Sequence, residues 1–170
     1  MPGDIDKLRL RELVCDFYAG ETELLDDGRY HEWLELLDDE ITYVMPMSER
    51  RQGPPTEADE RLPGFLLFNE DKASLTTRVA RLDTGLALVE MPPSLTQRLV
   101  TDVRIVAADG KSVEARSSFL VYTVRDEANE DFFIGRRRDM LLVHGDSFRI
   151  KRREITLAQL LLPRSIAMFF

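Results

Sequence analysis

Apolar residues recur at helical spacing near the start of the chain and give way, past residue 95, to long alternating runs. Leu10, Leu13, Val14, Phe17, Leu24 and Leu25 predict a helix through "DIDKLRLRELVCDFYAGETELLDDG". Asp4 or Asp6 can cap its start, and Gly28 is a fitting stop. "YHEWLELLDDE" reads as a second short helix with Trp33, Leu34 and Leu37 inward, and "ITYVMPM" as a short strand ended by Pro46. Residues 48–64, "SERRQGPPTEADERLPG", hold four acids and three prolines, which predicts an exposed excursion. "NEDKASLTTRVARLD" predicts a third helix with Leu75, Val79 and Leu82 on one side.

Beyond "MPPS" the period changes. "QRLVTDVRIVAA", "SVEARSSFLVYTVR", "FFIGRRRDMLLV" and "FRIKRREITLAQLLL" read as strands, separated by "DG" at 109–110, "DEANED" at 126–131 and "HGDS" at 144–147. Connections this short permit only antiparallel neighbours, and Asp-Gly is a strong turn signal. Helices first and then a four-strand meander imply an α+β domain whose antiparallel sheet curls around the N-terminal helices.

A length of 170 residues fits one domain, 1–170, with a sizeable core. The formal net charge of −8 argues against nucleic acid or an anionic membrane as partner, because phosphate binding needs surplus Lys and Arg. The charge is uneven: residues 1–71 carry 19 acids and 7 bases, residues 72–170 carry 12 acids and 16 bases. Such asymmetry can orient a partner. Cys15, the only cysteine, cannot form an internal disulfide and lies on the apolar stripe of the first helix, so it reads as a small buried residue in a reducing cytoplasm. "MPGDIDKLRLRE" lacks the apolar segment of a signal peptide, and no apolar run approaches a membrane span, so a soluble intracellular domain is expected.

Few residues offer chemistry. His31 sits on a polar helix face and His144 in a turn, so they are not placed to converge on a two-histidine iron site. A Rieske cluster needs two cysteines and two histidines, which this chain does not have. No Gly-rich phosphate loop occurs. Tyr43, Asp102, Tyr122 and Asp139 are the candidates for acid–base work in an enclosed pocket. The plainer expectation is that the tyrosines pack with satisfied hydroxyls and the aspartates pair with arginines.

The run "IGRRRDMLLV" at 134–143 sets three arginines in a strand. Alternation puts Arg136 and Arg138 on one face with Ile134, Met140 and Leu142, and Arg137 and Asp139 on the other. A bulge at Gly135 could reverse this locally. The next strand adds Arg149, Lys151, Arg152 and Arg153, so both faces mix apolar and cationic residues. A sheet with one solvated face should show cleaner alternation. A ladder of surface salt bridges would account for little stability; a face covered by another subunit would account for the pattern, arginine being favoured at interfaces. The tail "LLLPRSIAMFF" is too apolar to lie free in water, so Phe169 and Phe170 should dock on this fold or on a neighbour.

"LLDDGRYHEWLELLDDEITYVMPM", "FNEDKASLTTRVARLDTG", "MPPSLTQRLVTDV", "FFIGRRRDML" and "KRREITLAQLLLPRSIAMFF" resemble, in collinear order from about residue 8 onward, the small (beta) subunits of aromatic-ring-hydroxylating dioxygenases. The resemblance implies the cone-shaped fold of nuclear transport factor 2, ketosteroid isomerase and scytalone dehydratase. It implies a bacterial hetero-oligomer of large (alpha) and small subunits, commonly three of each. The Rieske [2Fe-2S] cluster and mononuclear non-heme iron would lie in the large subunit, with no cofactor and no catalytic residue in this chain. Arg98, Arg136, Arg138, Arg152, Phe169 and Phe170 are then the expected subunit-interface residues. The alternatives are a stand-alone cone-fold isomerase, dehydratase or cyclase, and a self-assembling scaffold. Two positions depart from the family pattern: "PPSLTQR" at 92–98 ends in Arg98 where histidine is usual, and Ala158 stands where an acid is usual.

Overall fold

A computed structural model of the chain describes residues 2–46, 66–83, 95–126, 129–159 and 169–170, with side chains omitted at 2–5, 125, 126 and 129. The expected excursion at 48–64, the "PPS" at 92–94 and Met168 lie outside the described residues.

Helix α1 spans Pro2–Asp26. It starts earlier than expected, so Asp4 and Asp6 lie inside it, and Pro2 occupies the first turn, where a missing N–H costs no hydrogen bond. Its end is as expected. Gly28 takes φ 72°, its N–H donates to the Leu25 carbonyl at 3.4 Å, and the Arg29 N–H donates to the Leu24 carbonyl at 2.8 Å. These are the paired bonds of a Schellman stop, which glycine accommodates without strain.

Helix α2 is only Tyr30–Glu35, shorter than the predicted second helix. The next residues enter strand β1, Leu37–Pro46. Lys72 Nζ takes the Leu34 and Leu37 carbonyls at 2.5 and 2.7 Å, and the Ile150 N–H takes the Leu36 carbonyl at 2.8 Å. Tertiary partners for these carbonyls replace the next helical turn. A further strand, β2 (Leu66–Glu70), pairs antiparallel with β1; the sequence reading did not anticipate it. Helix α3, Lys72–Asp83, follows. The Asp71 carboxylate accepts from the Ser74 N–H at 2.8 Å while the Ser74 hydroxyl oxygen accepts from the Asp71 N–H at 2.9 Å, a reciprocal cap.

The four long strands are present: β3 Leu95–Ala108, β4 Ser112–Asp126, β5 Asn129–His144 and β6 Ser147–Leu157. They form the expected antiparallel meander. The sheet has six strands in the order β2-β1-β6-β5-β4-β3, and β1 joins β6 in parallel. Gly110 and Gly145 supply the positive φ that the two tight turns require. Helix α1 packs on β3, and the core lies between the helices and the concave sheet face, around Tyr18, Leu25, Trp33, Tyr43, Phe133, Leu141 and Ile150.

Two irregularities set which residues face that core. On β3 the register slips between Thr101 and Arg104, with Asp102 at φ 52°. Aspartate tolerates that conformation better than most residues, and the extra residue turns Arg104 outward. On β6 the slip falls opposite Met140/Leu141, where β5 advances one residue and β6 advances two, from Ile150 to Arg152. Phe148 and Ile150 point inward before it, Arg153, Ile155 and Leu157 after it. The bulge considered at Gly135 does not occur: Gly135 stays in register with Phe119 and Leu157. A Cβ there would lie 2.4 Å from the Thr156 carbonyl oxygen and 2.7 Å from Phe119 Cζ, so the strands approach only because the side chain is absent.

Candidate functional site

Strand alternation places the arginines of β5 as expected. Arg137 and Asp139 are buried in the cone, whereas Arg136 and Arg138 are exposed on the outer face.

The inner residues form a closed ionic cluster. Arg153, fully buried, donates Nε to Asp139 Oδ1 at 3.0 Å and Nη2 to Oδ2 at 2.9 Å. Its other N–H groups reach Glu21 Oε1 (2.5 Å), Glu21 Oε2 (2.9 Å) and the Phe170 main-chain oxygen (2.8 Å). Every guanidinium donor therefore has an acceptor. Arg137 Nη1 donates to Glu21 Oε2 at 3.2 Å, its guanidinium lies 4.6 Å from the Tyr18 ring centroid, and its Nε and Nη2 have no hydrogen-bond partner among the described residues. The Tyr18 hydroxyl donates to Asp139 Oδ2 at 2.8 Å and the Trp33 indole N–H to Glu21 Oε1 at 3.1 Å. Two carboxylates thus face two guanidiniums in a buried interior, the arrangement that lets charges be buried at all.

Burial alone would raise the Glu21 carboxyl, but the attraction of Arg153 and then Arg137 outweighs it and holds the group at about 2. Burial, then the Asp139 charge, push the Tyr18 hydroxyl well up, and burial raises Tyr43 to about 12, so both tyrosines stay neutral donors. For Arg153, burial opposes the charge while Asp139 and Glu21 favour it, and the guanidinium stays protonated.

Of the acid–base candidates, Asp139 and Tyr43 are buried with partners inside the chain, Tyr43 through the Phe170 main chain. Asp102 is an exposed bulge residue, and the half-buried Tyr122 donates to Glu130 at 2.8 Å. The expectation that tyrosine hydroxyls are satisfied and that Asp139 pairs with arginine describes these contacts. Glu21 and Tyr18 were not singled out, although both fall on the buried stripe of α1 with Val14, Phe17 and Leu25. Arg153 faces inward only because of the β6 bulge, which the sequence does not announce.

The interface candidates divide in two. Arg98 is buried within this chain, ion-paired with Asp26 and donating Nε and Nη2 to the Phe169 main-chain oxygen at 3.3 and 3.0 Å. Phe169 and Phe170 are buried too, which settles their docking onto this fold. Phe169 stacks 4.5 Å from Trp33, and Phe170 lies 5.4 Å from Phe119 and 5.9 Å from Phe133. Arg136, Arg138 and Arg152 remain exposed.

The outer face is amphiphilic. Arg104, Arg116 and Arg138 stand directly opposite one another across β3, β4 and β5, with Glu154 next in line on β6. Arg138 pairs with Glu114 at 2.5 Å and Arg152 with Glu154 at 3.3 Å; Arg104, Arg116 and Arg136 make no ion pair with a described residue. Like charges directly opposed disfavour the pairing. With Asp102 and Glu154 these arginines line a groove of about 480 Å³. Beside it on the same face lie Leu95, Leu99, Phe132 and Ile134, exposed by 75, 57, 50 and 47%.

No group of three or more His, Cys, Asp or Glu gathers for a metal among the described residues. The donor set fits neither kind of iron centre: His31 and His144 are exposed, His31 contacts Asp83 at 2.8 Å, and Cys15 is half-buried against the core, less enclosed than expected. No described helix is long and apolar enough to cross a membrane.

A family model described as "Ring hydroxylating beta subunit" matches residues 20–164. Among solved structures, a chain of naphthalene 1,2-dioxygenase with indole bound superposes with a TM-score of 0.84 at 21% identity, over 95% of this chain and 86% of that one. The beta subunit of the benzoate 1,2-dioxygenase of Burkholderia mallei gives 0.68 at 21% identity, over 85% and 87%. An NTF2-like protein with a cystatin-like fold from Novosphingobium aromaticivorans gives 0.59 at 13% identity, over 92% and 87%. These structural likenesses establish the cone fold, and the family match, covering most of the chain, establishes more: the protein belongs to the ring-hydroxylating dioxygenase beta-subunit family.

Proposed function

We propose that this chain, as a single domain over residues 1–170, is the structural small subunit of a cytoplasmic, multicomponent aromatic-ring dioxygenase of aromatic catabolism. The iron centres and substrate pocket belong to a large partner subunit, with three copies of each as the expected assembly. The complex would add both atoms of O₂ to an aromatic ring, giving a cis-dihydrodiol with electrons from NADH. This chain's own residues contribute shape and attachment.

The observation that carries this reading is how the interior of the cone is filled. Phe169 and Phe170 are lodged where a cone-fold isomerase or dehydratase would need space for a substrate, and Asp139 is held on both oxygens by Arg153. Both oxygens of that carboxylate face donors of the protein itself, Arg153 and Tyr18. The outer face supports attachment: exposed apolar residues beside arginines are the composition of a covered surface. We assign Arg136, Arg138 and Arg152 to that surface, while Arg98, Phe169 and Phe170 act inside the subunit.

Affinity capture of the tagged chain from its native host should bring down a large partner, with iron and Rieske absorbance in the complex and none in the isolated chain. Stoichiometric iron in the isolated chain would sink the reading. Proton-transfer turnover by the chain alone would favour the isomerase alternative, and a homo-oligomer without an iron partner would favour the scaffold.

A further inference from the structure

Residues 169 and 170 are held in the way a bound ligand is held. The Tyr43 hydroxyl accepts from the Phe170 N–H at 2.8 Å and donates to the Phe170 main-chain oxygen at 3.1 Å, which Arg153 Nη1 also reaches at 2.8 Å. Arg98 gives two N–H groups to the Phe169 main-chain oxygen. Each of these bonds comes from a side chain, and the side chains come from three strands, β1, β3 and β6. The rings enter separate places: Phe169 between Trp33 and the Arg78 guanidinium, 4.5 Å from each, and Phe170 between Phe119 and Phe133. Pockets for adjacent side chains combined with main-chain recognition are the marks of a peptide-binding site.

Two of the donors are also held by the rest of the chain. Arg98 is fixed by Asp26, and Arg153 by Glu21 and Asp139. Emptying the site would take the segment's acceptors away from the Tyr43 hydroxyl and from donors of Arg98 and Arg153, and rebinding restores these bonds. We propose that the interior of the cone is a recognition site for a peptide segment bearing two adjacent aromatic side chains, filled in cis by Phe169 and Phe170 and able to take the same segment in trans once emptied. This goes beyond the subunit reading and stands or falls separately from it.

Trp33 is the only tryptophan of the chain and touches the Phe169 ring, so its emission reports occupancy. A variant ending at Met168 should give a saturable, one-to-one change in Trp33 emission with acetyl-Met-Phe-Phe and none with acetyl-Met-Ala-Ala. Adding Tyr43→Phe to that variant should weaken binding about tenfold. The unmodified chain, already filled, should not respond. If the shortened variant is unfolded alone, the Phe-Phe peptide and not its alanine counterpart should restore the far-UV circular dichroism of the unmodified chain. A folded variant that shows no saturable response, an equal response from the unmodified chain, or an unfolded variant that the peptide does not rescue would overturn the proposal.

Discussion

Arg137 and Arg138 are neighbours in the chain and have opposite surroundings. Arg137 lies inside the cone within a cluster of two guanidiniums and two carboxylates; Arg138 stands outside, its side chain 52% exposed, with Glu114 as partner. Inside, a charge without its counterpart is intolerable, so the cluster is tied to the fold. Outside, water screens each pair, and an exposed ion pair is worth at most about 1 kcal/mol. The same residue type in the same strand therefore serves folding on one face and is available for association on the other.

The sharpest way to break the comparison is to remove Arg153. Arg153→Met takes the bridging cation from Glu21 and Asp139 and leaves the two buried carboxylates with Arg137, Trp33 and Tyr18 as partners, which should cost roughly 3–5 kcal/mol in chemical denaturation or prevent folding altogether. A variant as stable as the parent would mean that the cluster is not structural.

Acid should attack the same cluster. The Glu21 carboxyl is depressed from 4.5 to about 2 in the folded chain, so its contribution is complete above pH 4.5 and disappears as pH falls toward 2. Denaturation midpoints across that window should fall for the parent. Glu21→Gln, less stable throughout, should lose this component of the slope; an unchanged slope would contradict the assignment.

Gly135→Ala should cost about 1–3 kcal/mol, because the new methyl meets the Thr156 carbonyl and the Phe119 ring. Replacing Arg136 and Arg138 by Ala should change the stability of the isolated chain by no more than about 0.5 kcal/mol each.

Much of this contrast can be read from the sequence. Period-two alternation separates Arg136 and Arg138 from Arg137 and Asp139, and Gly28 and Asp109-Gly110 mark their turns. The partners of the inner residues are harder to see. Glu21 falls on the stripe of α1 that carries Phe17 and Leu25, a signal that is visible once a buried acid is looked for. Arg153 reaches the interior through a bulge, and one extra residue reverses every later side chain of β6. Strand β2 and the early end of α2 depend on tertiary partners, Lys72 among them, that no local pattern encodes. Arg98, Phe169 and Phe170 read as interface residues because a cation and two aromatics suit an interface; the same properties suit the cone interior, where all three are buried.

The central claim, that inner charges hold the fold and outer ones attach it, is tested most directly by one paired measurement on Arg136→Ala/Arg138→Ala. The variant is co-expressed with the large subunit for a mass determination by light scattering, and its isolated chain is melted alongside the parent. The account predicts a weakened or incomplete assembly with a melting temperature within a few degrees of the parent's. An intact assembly, or a collapse of the isolated chain's stability, would contradict it.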